Sequence, residues 1–239
     1  LVLHGDAATQ VVREINRRQI DLLLVSPERG SGWWPFAAED PARALVRECP
    51  CPVWVAARSP KPNLGRILAT LSLEDTSVAR ARDIDVLRRA AALARREGAV
   101  LDVLHAWDFT AEERDTSRSC ITPAILQGLE RQRVAVDEAR IHRLLHDAAV
   151  TLVPVTLHLP RGNPAEEIRR FIKAHSIDLA VVGLGRRSPI AALWSAGMAE
   201  DLMADGACEV LGVKAEDFVS AIEDDIVYAR AEDRPSSAA

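Results

Sequence analysis

A possible phosphate-binding group lies near residue 186. Arg186, Arg187 and Ser188 follow shortly after the apolar run "DLAVVG", which ends at Gly183. Two guanidinium groups and a hydroxyl just past the carboxyl end of a strand could bind a phosphate through their side chains. The alternative is that the arginines keep a loop soluble or pair with acidic residues elsewhere in the chain. Both interpretations stay open.

The histidines do not predict a metal or catalytic site. His142 and His146 are four residues apart on one face of a predicted helix, which is a spacing used by metal ligands. No acidic or thiol partner accompanies them at metal spacing, and the surrounding run "EARIHRLLHD" is typical of a solvated helix face. His105 follows a predicted strand near the expected ligand position, but a lone histidine is more often structural. We therefore predict no catalytic residue and no metal site.

The four cysteines are predicted to be small buried thiols. Cys49 and Cys51 form C-x-C, which is shorter than the C-x-x-C spacing of zinc and redox sites. The other two are Cys120 and Cys208, and they form no second pair. The chain also has no G-x-x-x-x-G-K-[ST] phosphate loop.

Charge and hydropathy exclude two classes of partner. The net charge of the 239 residues is −5, and residues 216–239 alone carry seven acids and two arginines, which also sum to −5. The remainder is therefore close to neutral and has no basic face for a nucleic acid. No apolar run approaches the ~20 residues that span a bilayer. We expect a cytoplasmic protein with an acidic, flexible tail at residues 216–239.

Apolar runs alternate with helical patterns from residue 66 onward. The predicted strands are "RILATLSL" (66–73), "AVLDVLHAW" (99–107), "VTLVPVTLHL" (150–159), "DLAVVG" (178–183) and "EVLGVK" (209–214). Helical patterns separate them at residues 78–96, after Pro123, after Asn163 and across residues 199–204. The apolar positions of the first helix are Val78, Ala81, Ile84, Val86, Leu87, Ala91 and Leu93, and those of the helix after Pro123 are Ile125, Leu126, Leu129, Val136, Ile141, Leu144 and Leu145. This alternation predicts parallel βαβ units in a doubly wound α/β fold. Its ligand is expected beyond the carboxyl ends of the first and fourth strands, where the strand order reverses.

The chain also contains an internal repeat with an offset of 157 residues. "IDLLLVS" at residues 20–26 matches "IDLAVVG" at 177–183, and Gly5, Arg13 and Cys51 match Gly162, Arg170 and Cys208. We predict a tandem duplication in which residues 1–59 are the back part of a first domain and residues 60–215 are a complete second domain. The strand at Arg66 would have its counterpart before residue 1. The expected explanation is a longer protein with roughly 90 additional N-terminal residues, and a natural half-repeat is the alternative.

These segments resemble the universal stress protein family. The resemblance rests on "ILATL", "LDVLHAW", "GNPAEEI", "DLAVVGLGRR" and the pair "CPVWVAA" and "CEVLGVK", and it covers nearly all of residues 3–214. It implies a five-stranded parallel sheet in the order 3-2-1-4-5 and a tandem, two-domain arrangement. It also implies a role in the stress response as a binding or adaptor protein.

The resemblance implies a degenerate nucleotide site. Many members carry Gly-x-x-Gly, nine residues, then Gly-Ser or Gly-Thr after the fourth strand, and an aspartate at the end of the first strand. In this chain Ser72 matches the aspartate, and neither possible register restores the glycines. The residues at the motif positions in the two registers are Val182, Gly183, Gly185, Arg186, Ser195, Ala196 and Gly197, with Ser188 nearby.

The first domain departs further from the nucleotide motif. Ser26 and Arg29 stand at its first two glycine positions, and three bulky aromatics follow in "SPERGSGWWPF". Trp33, Trp34 and Phe36 are expected to pack against a helix or domain rather than to stack on a base.

The last strand of each domain is predicted to form an internal interface. Val53, Val55, Val210 and Val213 make both strands apolar, and exposed apolar edges favour aggregation unless they are paired. We expect Val53–Ala57 to pair with Glu209–Lys214, antiparallel across a pseudo-twofold axis. This pairing would make the chain an internal dimer, and a further homodimer is plausible.

The sequence leads to one main functional hypothesis and two alternatives. The main hypothesis is a non-catalytic stress protein that binds a ligand or a partner protein, with no certain cofactor. The first alternative is an ATP-binding stress protein, with ATP or AMP as ligand and weak ATPase activity. The second, a nucleotidyl-transferring or flavin enzyme of related fold, lacks the expected motifs.

Overall fold

The computed structural model shows an α/β protein built around one seven-stranded, mostly parallel sheet. It describes residues 6–26, 41–57, 61–109, 123–184 and 208–215, together with residues 218 and 220. The N-terminal part contains helices α1 (Ala7–Arg18) and α2 (Pro41–Glu48) and strands β1 (Leu23–Val25) and β2 (Val53–Val55).

Residues 66 to 214 supply the other eight elements. The strands are β3 (Arg66–Thr70), β4 (Val100–Leu104), β5 (Val155–His158), β6 (Leu179–Leu184) and β7 (Glu209–Lys214). The helices are α3 (Ser77–Glu97), α4 (Pro123–Asp147) and α5 (Pro164–His175). Local sequence explains several helix ends: the side chains of Thr76 and Asn163 cap the first turns of α3 and α5, and Gly98 ends α3 in the left-handed conformation. No described helix is both long and apolar enough to span a bilayer.

The strands lie in the order β1-β2-β7-β6-β3-β4-β5. Every neighbouring pair is parallel except β2 and β7, which pair antiparallel through Val53 with Gly212, Trp54 with Leu211 and Val55 with Val210. This pairing joins the two N-terminal strands to the other five, which is why the sheet has seven strands rather than five. Val53, Val55, Val210 and Val213 are buried in this arrangement.

Helices cover both faces of the sheet. Helices α3 and α4 pack on one face, where Ile67, Leu101 and Leu179 are fully buried. Helices α1, α2 and α5 pack on the other face over a cluster that includes Leu68, Ala180 and Val210. This cluster also contains Cys49, Cys51 and Cys208, so these three cysteines are buried thiols as predicted, while Cys120 lies outside the described residues.

Two predicted strands are shorter than expected. The run from residue 66 to 73 leaves the sheet after Thr70, because the amides of Ser72 and Leu73 donate to the side chain of Asp83 instead of to a strand. The run from residue 150 to 159 joins the sheet only at Val155, since Leu152 has a φ of 65° and is exposed to solvent.

The buried faces of two helices also differ from the predicted ones. In α3 the predicted apolar residue Val78 is exposed, whereas Arg82 and Asp83 are buried beside Val86 and Leu87. In α4 Ile141 and Leu144 are buried, but three apolar residues of the predicted face that precede them in the helix are exposed: Ile125, Leu129 and Val136. The spacing of apolar residues thus predicted where both helices lie in the sequence, but it did not predict all the residues that each helix buries.

Candidate ligand site at the carboxyl ends of β3 and β6

The strand order reverses at β3, which has β4 on one side and β6 on the other. In doubly wound folds ligands bind in the crevice that opens at this point, beyond the carboxyl ends of the strands. Three of the predicted site residues are described here. Ser72 lies in the loop after β3, and Val182 and Gly183 lie at the end of β6.

Asp83 organises the loop that follows β3. Its carboxylate accepts hydrogen bonds from the amides of Ser72 at 3.2 Å and Leu73 at 2.9 Å, and the Ser72 hydroxyl lies 3.3 Å from both of its oxygens. Asp83 comes from the second turn of α3 and is only 1% exposed. Burial raises the pKa of this carboxyl, although the amide donors and Arg82 oppose the shift. These hydrogen bonds join the loop to α3.

The side chain of Arg82 lies at the ends of β3 and β6. Its side chain is 4% exposed, and Nη2 donates to the Ser72 hydroxyl at 2.7 Å and lies 3.6 Å from Oε1 of Glu74. The guanidinium stem lies over Gly183, since a Cβ atom added there would be 2.9 Å from Arg82 Nε and 3.0 Å from Cδ. Among the described residues Nε has no hydrogen-bond partner.

Arg82 therefore lies between the ends of β3 and β6, against Ser72 on one side and Gly183 on the other. Gly183 is thus needed for the close approach of an arginine side chain, whereas in a phosphate-binding loop a glycine allows the approach of a phosphate.

His105 belongs to a neighbouring buried polar cluster. Its Nδ1 lies 3.1 Å from the carbonyl oxygen of Leu71, and its Nε2 lies 3.8 Å from Oδ2 of Asp137. Asp137 in turn accepts a hydrogen bond from Arg133 Nε at 2.7 Å. Burial lowers the pKa of His105, with Leu71 and Asp137 opposing the shift and Arg133 and Arg140 adding to it. The cluster attaches α4 to the ends of β3 and β4, which is a structural role.

A second hollow lies away from the switch point, between β5 and α5. It has a volume of about 490 Å³ and is lined by His158, Phe171 and His175, among others. His158 Nε2 lies 2.8 Å from Oδ1 of the fully buried Asp102, whose other oxygen accepts from Arg66 Nε at 2.5 Å. Burial would raise the pKa of Asp102, but the bonds from Arg66 and His158 lower it overall. These contacts satisfy a buried carboxylate.

The remaining predicted site residues are not brought together by the described structure. Val182 packs in the core beside α5. His142 and His146 are exposed on α4, and the described residues contain no group of three side chains that could hold a metal ion. The following predicted residues lie outside the described residues: Gly185, Arg186, Arg187, Ser188, Ser195, Ala196, Gly197, Arg29, Trp33, Trp34 and Phe36.

Sequence reasoning missed Arg82 and Asp83. Both lie on the buried stripe of α3, in phase with Ala79, Val86 and Ala90. Two charged residues inside an otherwise apolar helix stripe could have marked a buried polar cluster, because buried charges are paired or hydrogen-bonded. Their partner Ser72 could not be inferred from this pattern.

Known proteins with similar structures share this fold. The chain is similar to the functionally unknown protein PA1789 from Pseudomonas aeruginosa PAO1, with a TM-score of 0.65 and 16% identity over 96% of this chain and 74% of that chain. For a putative universal stress protein from Pseudomonas aeruginosa UCBPP-PA14 the TM-score is 0.66, with 16% identity over 92% of this chain and 73% of that chain. For a universal stress protein from Archaeoglobus fulgidus DSM 4304 the TM-score is 0.53, with 12% identity over 89% of this chain and 67% of that chain.

The sequence comparison assigns the family. No curated protein matches the sequence significantly. The family model for universal stress proteins matches residues 80–214, which is more than half of the chain. The chain therefore belongs to the universal stress protein family.

Proposed function

We propose that this chain is a non-catalytic universal stress protein of the cytoplasm that binds a ligand or a partner protein and has lost the nucleotide site. The observation that carries the proposal is the position of Arg82. Its guanidinium stem fills the crevice between Ser72 and Gly183 and is held there by a 2.7 Å hydrogen bond. The three buried free thiols Cys49, Cys51 and Cys208 fit a reducing compartment.

Direct nucleotide binding tests this proposal. The full chain, purified without added nucleotide, is titrated with Mg·ATP and separately with AMP by isothermal calorimetry. We expect no saturable heat up to 1 mM, where a ligand with a Kd of about 10 µM would bind ~99% of sites. Stoichiometric binding with release of phosphate from ATP would support the alternative, an ATP-binding stress protein with weak ATPase activity.

A second test opens the crevice. Arg82→Ala removes the guanidinium, and ethylguanidinium at millimolar concentration is expected to raise the Tm of this variant but not that of the wild type, because only the variant has an empty guanidinium-shaped space. Arg80→Ala is the matched control, since Arg80 lies two residues away on the same helix and pairs with Asp147 at the surface. An equal response of both variants would contradict an internal role for Arg82.

We also propose that residues 1–59 are the C-terminal part of a first copy of one domain and that residues 60–215 are a complete second copy. Helix α5 begins 157 residues after the start of α1 and ends 157 residues after its end. A residue in the left-handed conformation follows each helix, Gln19 after α1 and Ser176 after α5. In the pair of β1 and β2, Leu23 faces Val53. The residues 157 positions later, Ala180 and Val210, face each other in the pair of β6 and β7, so the two pairs have the same register. The offset found in the sequence therefore has a parallel in the helix ends and the strand registers.

The pairing of β2 with β7 supports an internal dimer of these two copies. Trp54 faces Leu211, the residue 157 positions later, and a twofold axis requires such pairing of equivalent positions. Across the same contact Trp54 Nε1 donates to Oε2 of Glu209 at 2.6 Å. We therefore propose residues 53–57 and 209–214 as the interface, with association of two whole chains as a separate possibility.

A further inference from the structure

Two thiols meet in the short connection between α2 and β2. The Sγ atoms of Cys49 and Cys51 lie 3.4 Å apart, and the two residues are 0% and 8% exposed. Their C-x-C spacing is shorter than that of the usual redox dithiols, but the chain bends at residues 50 and 51 and places the two side chains next to each other. A disulfide bond is about 2 Å long, so the sulfur atoms need to approach by only about 1.4 Å to form one.

The surroundings of the pair favour a thiolate at Cys51. The hydrogen bond from the Cys49 thiol lowers the pKa of Cys51, and backbone amides add to this shift, whereas burial and the charge of Asp21 oppose it. Lys214, at the end of β7, donates from Nζ to the carbonyl oxygen of Arg47 at 2.7 Å, and its ammonium group interacts favourably with both thiolates. Cys51 is therefore the more nucleophilic of the two, and it is also the one that reaches solvent.

The second half of the molecule contains a single thiol at the same place. Cys208 stands 157 positions after Cys51, but Gly206 stands 157 positions after Cys49. The Cys208 thiol donates to the carbonyl oxygen of Glu209 at 3.0 Å, and burial raises the pKa of Cys208 to about 12. The space before β7 is thus filled with one thiol that stays protonated at neutral pH. Packing before the strand therefore does not require a pair, and Cys208 is an internal reference for the reactivity of Cys51.

We propose that Cys49 and Cys51 form a redox site at which a hydroperoxide oxidises the two thiols to an intrachain disulfide. The Cys51 thiolate attacks one peroxide oxygen, the O–O bond breaks, and the leaving alkoxide or hydroxide takes up the proton that the Cys51 thiol released. The sulfur of Cys49 then attacks the resulting sulfenic acid at Cys51, and the S–O bond breaks as the hydroxyl group leaves with the Cys49 proton as water. Two electrons pass from the thiols to the peroxide. The cross-link forms directly before β2, the strand that pairs with β7.

Peptide mapping of the full chain tests the proposal. Reduced protein is treated with a small excess of hydrogen peroxide, and samples are quenched over time with maleimide in denaturant. Trypsin then places the pair in the peptide of residues 48–58 and Cys208 in the peptide of residues 188–214. We expect the 48–58 peptide to lose the mass of two hydrogen atoms and to take up no maleimide, more than about tenfold faster than the 188–214 peptide loses its thiol. Dithiothreitol should restore both thiols.

Three variants assign the roles of the thiols. In Cys49→Ser we expect a sulfenic acid at Cys51 that dimedone traps, and in Cys51→Ser we expect Cys49 to react no faster than Cys208. Cys208→Ser is the matched control, and it should form the disulfide at the wild-type rate. Oxidation of Cys49 in Cys51→Ser at the wild-type rate would contradict the order of attack.

The wild-type protein alone decides whether the site exists, even if a variant does not fold. Reaction of the 48–58 peptide no faster than that of the Cys208 peptide would overturn the proposal. Disulfides that join Cys49 or Cys51 to any other cysteine would overturn it as well, because the pair would then not be the reacting unit.

Discussion

At the residue scale, Asp178 shows how the position of a carboxylate decides its contribution to stability. It accepts hydrogen bonds from the amides of Gly65 at 2.8 Å and Arg66 at 2.9 Å and forms an ion pair with Lys61. Burial would raise its pKa, but Lys61 and the two amides lower it overall. Asp21, 157 positions earlier in the chain, is exposed.

Substitution of these two aspartates should therefore differ in effect. Asp178→Ala leaves two backbone amides without their acceptor, and we expect it to lower the free energy of unfolding by about 2–4 kcal/mol. Asp21→Ala should change the same quantity by no more than about 0.5 kcal/mol. Urea unfolding at pH 7 measures both values, and equal losses would show that the contacts of Asp178 contribute little.

His105 should make the protein sensitive to mild acid. Burial lowers its pKa in the folded state below the unfolded value of 6.5, so the unfolded chain binds the proton more readily. Its contribution to stability is thus present above pH ~6.5 and is lost as the pH falls. We expect His105→Gln to lose less stability than the wild type between pH 7.5 and 5.0 in urea unfolding. Parallel losses in both proteins would assign the acid sensitivity to other groups.

At the scale of elements, the contact between α3 and β6 depends on Gly183. A methyl group there would meet Arg82 Nε at 2.9 Å. We expect Gly183→Ala to destabilise the protein by about 1–3 kcal/mol through overpacking, and to cost much less in the Arg82→Ala background. The double-mutant cycle isolates this coupling.

Gly128 on α4 is the control for this cycle. Apart from its chain neighbours and the backbone of its own helix, no atom lies within 4 Å of the position its Cβ would take, and Gly128 lies inside α4. Gly128→Ala is expected to stabilise the protein by roughly 0.5–1 kcal/mol, the usual gain for alanine inside a helix. If Gly183→Ala lowers the stability equally with and without Arg82→Ala, the effect comes from the strand backbone and not from contact with Arg82.

At the scale of the whole molecule, one sheet runs through both halves, because β2 pairs with β7. We expect both halves to unfold in one cooperative transition. Variants with tryptophan retained only at Trp54 in β2 or only at Trp107 after β4 report the two halves by fluorescence, and their urea midpoints should coincide. Two separate midpoints would mean that the β2–β7 contact does not couple the halves.

The sequence by itself determined the family and the order of the described elements from β3 onward, whereas the predicted helix at residues 199–204 lies outside the described residues. Alternating apolar runs and helical patterns predicted the α/β fold, and the cap residue Asn163 with Pro164 marked the start of α5. The buried thiols at Cys49, Cys51 and Cys208 were also predicted correctly. These features depend on local propensity and spacing, which a single sequence contains.

Only the tertiary structure decided which side chain lies between the ends of β3 and β6. Ser72 and Gly183 were candidates from the sequence, but the side chain between them comes from Arg82 on α3. The phase of α3 was misjudged because Arg82 and Asp83 are buried, and apolar spacing cannot identify charged residues that are satisfied by distant partners. The 66% exposure of Leu24 was also decided by the tertiary structure, because the burial of a strand residue depends on which strand and helix pack alongside it.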